Sequence, residues 1–398
     1  MLESIYVGMT GLLGYSRGLR VIANNTANLN TPGFKSSSLQ FTDLFYTGGN
    51  LSGGNTGANQ GQNQLGFGLN TAGTSISFKQ GELRQTGNDL DMAVDGQGLF
   101  VLQNADGKVS YTRAGQFKFD TDGTLVKRVG GEKVMALGEG DAFVPITLAG
   151  QMMNPGKTTT KLTFTGTVPA SGTDALVVGG LQVIDASGQS HALTMKLYQA
   201  TSTPEGMSVK VEILDGTVVI ATNALVFSDG KPVAATARIP VTYSPAGQPP
   251  MALTLDFGTD VVLFSGGTQI KMASQDGVAP GTLSGAVFDE TGTLRMTYTN
   301  GQTVKGARLA LARFSSPDAV ESLGGNQFDV LDKSAWRLGS AGEGAFGKIA
   351  SGRVEISNVD LSQEFSDLVI MQRGYQASSQ VISTANEMLQ QLFSMKSK

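Results

Sequence analysis

The chain has no cysteine and a single histidine among its 398 residues. Without cysteine there is no disulfide, thiolate zinc site, iron–sulfur cluster or cysteine nucleophile. One histidine, His191, excludes a His–His metal pair and leaves at most one Ser–His arrangement. That histidine lies in the alternating apolar segment 181–197, which predicts an edge strand. These absences predict a protein that is not an enzyme and that holds no cofactor or metal.

Charge is also scarce, at 16% of residues with a net charge of -4 and no basic block. Binding to a phosphate backbone rests on clustered Lys and Arg, so nucleic acid is not an expected partner. No apolar run reaches the ~18 residues of a membrane span, so we expect no membrane insertion. The first residues lack the basic start and apolar core of a secretory signal, and we expect a cytosolic chain or one exported without cleavage.

Glycine and apolar residues are plentiful. The 53 glycines are close to twice the usual ~7%, and 40% of residues are hydrophobic, enough to bury real cores. At ~150 residues per domain, the length predicts two to three folded domains.

Apolar residues near the start of the chain recur at alternating steps of four and three, the spacing of a helix with a heptad-like seam. The seam consists of Ile5, Met9, Leu12, Ser16, Leu19, Ala23, Thr26 and Asn30. Pro32 and Gly33 are expected to end this helix, because proline removes a backbone donor and disfavours helix at the residue before it.

The last forty or so residues show the same pattern over a wider arc. One seam holds Leu361, Phe365, Leu368, Tyr375, Ile382, Leu389 and Phe393, and the next holds Met371, Val381, Ala385, Met388 and Leu392. Asp360 is the predicted N-cap, because its carboxylate can accept from the free backbone N–H groups of the first turn.

Each terminal helix carries few charges and more apolar surface than one partner can cover. The two ends could form an intramolecular hairpin, or could pair and then pack against other copies of the chain. Gly8, Gly11, Gly14 and Gly18 favour the second interpretation: each costs about 1 kcal/mol relative to alanine and is best tolerated where backbones approach closely. The helical ends, residues 1–33 and 358–398, are therefore candidates for contacts with other copies of the chain, and the hairpin stays open as the alternative.

Between the helices, much of the sequence has the alternating apolar pattern and the turn residues that are typical of β structure. Residues 34–78 have a Gly/Asn/Gln-rich linker composition, typical of a disordered spacer or of a loop ordered only by neighbours in an assembly. Short apolar alternations separated by Asp-Gly and Gly-Gly turns fill 79–145 and return in 285–357, which predicts two β meanders of one interrupted domain.

The interruption is marked by proline, since ten of the twelve prolines lie between Pro145 and Pro280. The fold class predicted is multidomain and mainly β, with long α-helical N- and C-terminal ends. A discontinuous inner β domain, 79–145 plus 285–357, would carry an inserted all-β outer domain at 146–284.

Two motifs look like binding sites. Residues 342–348 fit the first seven places of a phosphate-binding loop, but Ile349 replaces the hydroxyl that would hold magnesium. Asp89, Asp91 and Asp95 lack the spacing of a calcium loop, and we interpret them as a solvated turn. Neither motif predicts a ligand.

Several short motifs, each present once, lie at both ends of the chain and in the two meanders. They are VIANNTAN (21–28) with TPGFK (31–35), QGEL (80–83), TGNDLDMAV (86–94), DGQGLF (95–100), YTRAGQF (111–117), the Gly-rich 342–348 ahead of SNVDL (357–361), and QRGYQA (372–377). Together they resemble the rod and hook axial proteins of the bacterial flagellum. Thr26 departs from the aliphatic residue usual in that family. The likeness covers 1–145 and 285–398, and 146–284 only loosely, around 183–191.

The resemblance implies a structural subunit of the hook, a homopolymeric, curved and flexible tube that transmits motor torque from rod to filament. It also implies that the terminal helices, residues 1–33 and 358–398, form the inner polymer core. It implies the chain itself, the distal rod protein, the hook cap, the hook–filament junction proteins and the flagellar type III export apparatus as partners, and an extracellular place in the flagellum after export without signal cleavage. The assembly residues expected on the terminal helices are Ile5, Met9, Leu12, Leu19, Ala23, Asn24, Asn25, Leu361, Phe365, Leu368, Tyr375, Ile382, Leu389 and Phe393.

Three other interpretations remain open at this point. A secreted, β-rich glycan-binding adhesin would explain the middle of the chain but not its helical ends. A distal rod protein belongs to the same family but is shorter and lacks the insertion. A hydrolase would need an acid pair that the sequence does not place.

Overall fold

The structure is a computed structural model that describes residues 2–44, 46–48, 64–138, 140, 142–170, 175–264 and 269–396. The chain folds into two compact units. The first comprises Met1–Ala149, Val287–Arg295 and Lys305–Lys398, and the second comprises Gly150–Ala286 and Met296–Val304. We propose that the second unit corresponds to the outer domain predicted at 146–284, and the β structure of the first unit to the predicted inner domain.

Long helices lie at both ends of the chain, α1 (Leu2–Ala27) and α2 (Leu361–Lys396). The chain turns after α1, and Gly33 adopts a φ of 73°, a left-handed conformation that glycine tolerates best. Oδ1 of Asp360 accepts from the backbone N–H of Ser362 at 2.9 Å and of Gln363 at 3.3 Å. The predicted terminal helices and the predicted N-cap are confirmed.

The first unit contains the strands before residue 149, those after residue 309 and parts of three strands between residues 287 and 308. The early strands are β1 (Ser37–Asp43), β2 (Tyr46–Gly48), β3 (Gln64–Gly66), β4 (Leu69–Ile76), β5 (Leu83–Gln85), β6 (Met92–Asp95), β7 (Leu99–Gln103), β8 (Val109–Thr112), β9 (Phe117–Phe119), β10 (Leu125–Lys127), β11 (Lys133–Leu137) and β12 (Phe143–Pro145).

The second unit follows with β13 (Met153–Asn154), β14 (Lys161–Pro169), β15 (Leu176–Ile184), β16 (Ser190–Leu197), β17 (Thr201–Thr203), β18 (Gly206–Asp215), β19 (Val218–Ser228), β20 (Lys231–Pro232), β21 (Arg238–Tyr243), β22 (Met251–Asp256), β23 (Val261–Phe264) and β24 (Lys271–Gln275). The remaining strands are β25 (Gly281–Phe288), β26 (Thr293–Tyr298), β27 (Thr303–Arg308), β28 (Ala310–Phe314), β29 (Val320–Gly324), β30 (Gln327–Val330), β31 (Trp336–Ser340), β32 (Lys348–Ser351) and β33 (Arg353–Glu355).

A ten-stranded sheet organises the first unit and joins its two meanders. Its main path is β29-β30-β8-β7-β11-β10-β9, with β12 on β11 and with β28 between β7 and β31. The early strand β7 therefore pairs with the late strand β28, Leu311 opposite Phe100. Apolar side chains from both meanders meet in one core around Val101, Tyr111 and Trp336. Two smaller pairings, β6 with β32 and β5 with β33, also join early and late segments.

The segment predicted as a linker, 34–78, contains paired strands in its described part. β1 and β4 are antiparallel, with Ser37 opposite Ile76 and a register shift after Gln40. This pairing forms within the chain itself, so the interpretation as a spacer or a neighbour-ordered loop is wrong for these residues. Phe41 lies beside Tyr15 of α1 and Leu69 lies beside Gly14, and the polar composition concealed these apolar contacts. The middle of the Gly/Asn/Gln-rich run, residues 49–63, lies outside the described residues.

The second unit is built from a five-stranded sheet, β21-β22-β14-β23 with β24 on β14, and a six-stranded sheet, β15-β16-β18-β19-β20 with β17 on β18. Alternate residues of both sheets enter one apolar core, as expected of sheets packed face to face. Phe164 and Phe257 stack there with ring centroids 5.0 Å apart. A further four-stranded sheet has the order β13-β25-β26-β27.

Candidate assembly surface

The terminal helices pack against each other in antiparallel orientation. The facing pairs are Gly8 with Ile382, Gly11 with Ser378, Tyr15 with Gly374 and Gly18 with Met371. A β-carbon on Gly11 would lie 2.5 Å from Oγ of Ser378, and one on Gly374 would lie 2.5 Å from the ring of Tyr15. The two backbones can therefore approach this closely only because small residues line the contact.

The row of α1 that faces α2 is not the apolar seam read from the sequence. The buried residues of α1 are Gly8, Gly11, Gly14, Gly18, Ile22 and Asn25. Helices approach along their smallest side chains, so the glycines select the contact and the larger apolar residues flank it. Of the predicted α1 residues, Ile5, Leu12 and Leu19 are half-buried, Met9, Ala23 and Asn24 are exposed, and Asn25 is buried.

On α2, the predicted residues divide in the same way. Ile382 contacts Gly8 of α1. Leu368, Ile382 and Leu389 are half-buried, whereas Leu361, Phe365, Tyr375 and Phe393 are exposed. The structure therefore brings Asn25 and Ile382 into the helix pair and leaves most of the other predicted residues on its surface.

Gly14 has a different neighbour from the other glycines of α1. A β-carbon there would lie 2.4 Å from Cδ1 of Leu69, and the ring of Tyr15 lies 5.9 Å from that of Phe41. α1 thus rests on the β1–β4 pair as well as on α2. The spacing of Gly14 and Gly18, which resembles a membrane dimer motif, serves contacts within the chain. Among the described residues, no helix has an apolar stretch long enough to cross a bilayer.

Asn25 joins α1, β1 and α2 through hydrogen bonds. Its Nδ2 donates to Oε1 of Glu364 and to the carbonyl of Ser37, both at 2.8 Å, and its Oδ1 accepts from the N–H of Ser37 at 3.0 Å. Burial raises the pKa of the Glu364 carboxyl, and the neighbouring Asp367 raises it further, against the opposing effect of the Asn25 bond. Asn25 lies in the VIANNTAN motif noted in the sequence, but no feature of the sequence indicated Glu364 as its partner.

Replacing Asn25 by alanine should lower the free energy of unfolding by about 1–3 kcal/mol, since it leaves the buried groups of Glu364 and Ser37 without their partner. Asn24 is the matched control, because it is adjacent and exposed. Its replacement by alanine should change stability by less than about 0.5 kcal/mol. Urea titrations followed by helical circular dichroism at low protein concentration measure both. Equal effects for the two variants would contradict the bridging role.

A buried ion cluster in the first unit joins the segment that follows α1 to the segment that precedes α2. We call these two segments the helix bases. Oε1 of Glu355 accepts from Nζ of Lys35 at 2.6 Å and from the N–H of Gly81 at 2.8 Å, and its Oε2 accepts from Nε of Arg113. All three charged side chains are at most 5% exposed. Burial lowers the pKa of Lys35, whereas the charge of Glu355 works to raise it.

The remaining donors of this cluster go to backbone carbonyls. Nζ of Lys35 also donates to the carbonyl of Lys79 at 2.8 Å, and the Arg113 guanidinium donates to the carbonyls of Val94 at 2.7 Å and Gly96 at 2.6 Å. Lys35 follows α1 and Glu355 precedes α2, so one carboxylate fixes both helix bases. Lys35 and Arg113 stand in the motifs noted in the sequence, but Glu355 had no sequence signal.

Large apolar side chains remain exposed on both helices. On α1 they are Tyr6, Val7, Met9 and Leu13, and on α2 they are Leu361, Phe365, Val369, Ile370, Tyr375, Val381, Met388, Leu392, Phe393 and Met395. Exposed apolar side chains in this number mark a protein contact on soluble proteins. The pairing of α1 with α2 therefore leaves a second apolar surface that the described chain does not cover.

The motifs resembling binding sites have structural partners. Lys348 begins β32 and forms an exposed pair with Glu290, Nζ to Oε2 at 3.1 Å. Asp91 is not solvated as predicted: it is buried and binds Arg128 at 2.6 Å. Among the described residues, no group of three or more His, Cys, Asp or Glu side chains could hold a metal ion.

His191 does not lie on an edge strand, because β16 pairs with β15 on one side and β18 on the other. The alternating pattern of 181–197 indicated the strand correctly but carries no information on its place in the sheet. Nε2 of His191 lies 2.8 Å from Oδ2 of Asp185. Asp185 also accepts from the N–H groups of Ser187 and Gln189, so this cluster closes the turn between β15 and β16.

Comparison with known proteins gives matches at both ends and in the inner β region. Residues 5–35 match the family model "Flagella basal body rod protein", 93–168 match "Flagellar hook protein FlgE/F/G D1 domain", and 350–395 match "Flagellar basal body rod FlgEFG protein C-terminal". The chain belongs to the family of flagellar rod and hook proteins.

Relatives of the rod and hook family match along the whole chain. Proteins named "Flagellar hook protein FlgE" from Borreliella burgdorferi and Salmonella typhimurium are 28% and 29% identical, covering 100% and 98% of both chains respectively. The crystal structure of Helicobacter pylori flagellar hook protein FlgE2 aligns over 68% of this chain and 100% of that one, with a TM-score of 0.51 and 14% identity. That structural likeness bears on the fold, and it agrees with the mainly β architecture carrying terminal helices.

Each rod and hook family model contributes one residue to the buried ion cluster. Lys35 lies in the N-terminal match, Arg113 in the central match and Glu355 in the C-terminal match. The salt bridges thus tie together the three segments that identify the family. The helix pair, the β1–β4 pair and this cluster all lie in the first unit.

Proposed function

We infer that the chain is a structural subunit of the bacterial flagellar hook and that it polymerises with copies of itself. The observation that carries this inference is the apolar surface left on α1 and α2 after they have packed together. An exposed surface rich in Phe, Ile, Leu and Met is costly in water and is stabilised by burial against another subunit. Relatives that match along the full length carry the name of a hook protein.

The assembly residues are those the helices present outward. Met9, Phe365, Tyr375 and Phe393 are 42–71% exposed and would bury most of that surface between subunits. Ile5, Leu12, Leu19, Leu361, Leu368 and Leu389 would flank them, with Ala23 and Asn24 near the base of α1. Asn25 and Ile382 contribute from within the helix pair by fixing the register of α1 on α2.

The helices of many subunits would form the inner wall of a tube, and the β units would form its outer layers. A helix of 36 residues rises ~54 Å at ~1.5 Å per residue, long enough to contact several stacked copies. The curved, flexible tube would pass torque from the distal rod protein to the filament, ending at the hook cap and later at the junction proteins. Subunits would reach this extracellular site through the flagellar type III export apparatus without losing a signal peptide.

The other interpretations receive less support. A glycan-binding adhesin leaves the paired helices and their apolar surface without a purpose. A distal rod protein would share the three family models, but the relatives that cover this chain end to end are named as hook proteins. We propose a purely structural role, with no catalysis and no cofactor.

Electron microscopy of the purified full-length chain at rising concentration tests this function. We expect hollow, curved tubes of constant diameter to form above a threshold concentration. Closed oligomers, or a chain that stays monomeric at every concentration, would rule out a hook subunit.

A further inference from the structure

A cavity of about 440 Å³ lies against the buried ion cluster of the first unit. Its walls are Lys35 and Arg113 of that cluster, the segments 78–80 and 96–99, and residues 312–315 at the end of β28. Each of these residues belongs to the first unit, so a single folded unit forms the whole lining. The volume falls within the range of roughly 300–1,000 Å³ that is usual for cavities that bind small molecules.

Two aromatic rings form much of the apolar part of the lining. Phe78 and Phe314 line the cavity together with Leu99. The rings of Phe78 and Phe314 meet edge to face, with centroids 4.3 Å apart and an interplanar angle of 65°. Both phenylalanines are half-buried and pack against the core around Trp336, which fixes their rings in place. A flat apolar molecule would therefore meet an aromatic surface that is already formed.

Positive charge dominates the polar part of the lining, and none of the described residues that line the cavity is acidic. Its cations are Lys35, Lys79, Arg113 and Arg313. Within the described residues, two carboxylates contact lining side chains. Glu355 binds the two cations of the ion cluster. Asp95 accepts from Nε2 of Gln80, which also lines the cavity, at 3.2 Å. Positive charge is in excess, and a cleft lined by one sign of charge attracts a ligand of the opposite sign.

Lys79 and Arg313 are the cations that a ligand in the cavity would contact. Lys35 and Arg113 are almost fully buried and use their donors within the ion cluster, so they act through their charge. Lys79 is exposed and Arg313 is half-buried, and in the described part of the chain neither forms a salt bridge. Nη1 of Arg313 donates to Oε1 of Gln97 at 3.0 Å, which orients the guanidinium. An oriented guanidinium suits the planar, two-oxygen face of a carboxylate.

We propose that this cavity binds a small aromatic anion, with its ring system on Phe78 and Phe314 and its acidic group at Lys79 and Arg313. The chemical class is a one- or two-ring aryl carboxylate. The site uses neither the exposed surface of the helices nor a contact between copies. The proposal therefore goes beyond the inferred polymeric function and does not depend on it.

Binding at this site should also stabilise the first unit. Burial lowers the pKa of Lys35 although Glu355 contacts it, so the positive charge of the cluster is not fully compensated. A further negative charge in the cavity would stabilise the charged form of Lys35 and, through it, the folded state. At a ligand concentration about a hundredfold above Kd, the melting temperature of the first unit should rise by about 5–10 °C.

Isothermal titration calorimetry of the full-length chain with naphthoate tests the site below the threshold concentration for polymerisation. We expect one ligand per chain with a Kd below about 1 mM. Naphthamide has the same rings without the charge and should bind at least about tenfold more weakly. This comparison uses the unmodified chain, so it decides the role of charge even if a variant fails to fold.

A double variant locates the bound anion. Lys79→Gln with Arg313→Gln should weaken naphthoate binding at least about tenfold and leave naphthamide binding unchanged. The matched control is Lys118→Gln with Arg353→Gln, because both residues are exposed, belong to the first unit and lie outside the cavity lining. The control should bind naphthoate as the parent does. Circular dichroism at the start of each titration shows that the variants are folded.

Three results would overturn the proposed site. One is no measurable binding of naphthoate at about 10 mM. Another is equal weakening, or none, in the two double variants, which would place the ligand on exposed apolar side chains elsewhere. The third is binding that disappears when the chain polymerises, which would assign the cavity to a contact with a second copy.

Discussion

Replacing Glu355 by alanine should lower the free energy of unfolding of the first unit by about 3–5 kcal/mol, because it leaves the charges of Lys35 and Arg113 buried and unpaired. Side-chain exposure of 1% and 5% leaves these cations little access to water. The loss should also loosen both helix bases, since Lys35 follows α1 and Glu355 precedes α2. Urea unfolding followed by both helical signal and tryptophan fluorescence measures the change, with Trp336 as the only tryptophan.

The matched control for this variant is Glu290→Ala. Glu290 also binds a lysine, Lys348, but both side chains are more than two-thirds exposed. Exposed pairs contribute about 0–1 kcal/mol, so this variant should unfold almost as the parent does. Unfolding of the second unit should be unaffected by either change. A Glu355→Ala variant as stable as Glu290→Ala would show that the cluster does not hold the helices.

Replacing Ile370 by aspartate should raise the threshold concentration for polymerisation by at least about a hundredfold, because a charge would enter a surface that assembly removes from water. Ile370 lies on α2 and is 60% exposed in the single chain. Unfolding of the dilute monomer should therefore change by only about 0.5 kcal/mol, the difference in helix propensity. Pelleting assays and calorimetry of the dilute chain separate the two effects.

Gln376→Asp is the control for helix propensity. It introduces the same side chain into α2 at an exposed position that is already polar. Its threshold should rise by less than about tenfold. If Ile370→Asp polymerises as readily as the control, the exposed apolar residues of α2 are not assembly contacts. A large loss of monomer stability would instead place Ile370 in the folded core.

The sequence predicted the helices well because their signals are local. Periodic apolar residues and the Asp360 cap act within a few residues of the chain, whereas α1 ends at Ala27, before the stop predicted at Pro32–Gly33. The contact row between the helices was harder to predict, since it depends on which face a partner presents. Apolar periodicity indicated Ile5, Met9 and Leu12, whereas the glycines set between them determine how closely α2 can approach.

Long-range partners could not be predicted from the sequence. The local sequence does not distinguish Glu355 from other acidic residues. Its role follows from the pairing of β33 with β5, which brings Glu355 to Lys35 and Arg113. The same holds for β1 and β4, whose polar composition resembles a linker until the two strands pair and α1 covers them. Composition describes a segment alone, but these features arise from contacts between segments that are tens to hundreds of residues apart.

The structure also shows where the helical ends can be separated from the first unit. A cut at residue 79, where the predicted inner domain begins, would remove Lys35 from Glu355 and Phe78 from Phe314, whose rings lie 4.3 Å apart. A fragment of residues 34–358 keeps these contacts. It also keeps Asn358, whose Nδ2 donates to the carbonyl of Ser77 at 2.7 Å.

Sedimentation velocity of the full chain beside the 34–358 fragment tests most directly whether the terminal helices drive assembly. The full chain should form polymers above a threshold concentration, and the fragment should stay a folded monomer throughout the same range, with its β signal in circular dichroism retained. Polymers formed by the folded fragment, or a full chain that remains monomeric, would contradict the assembly role of α1 and α2.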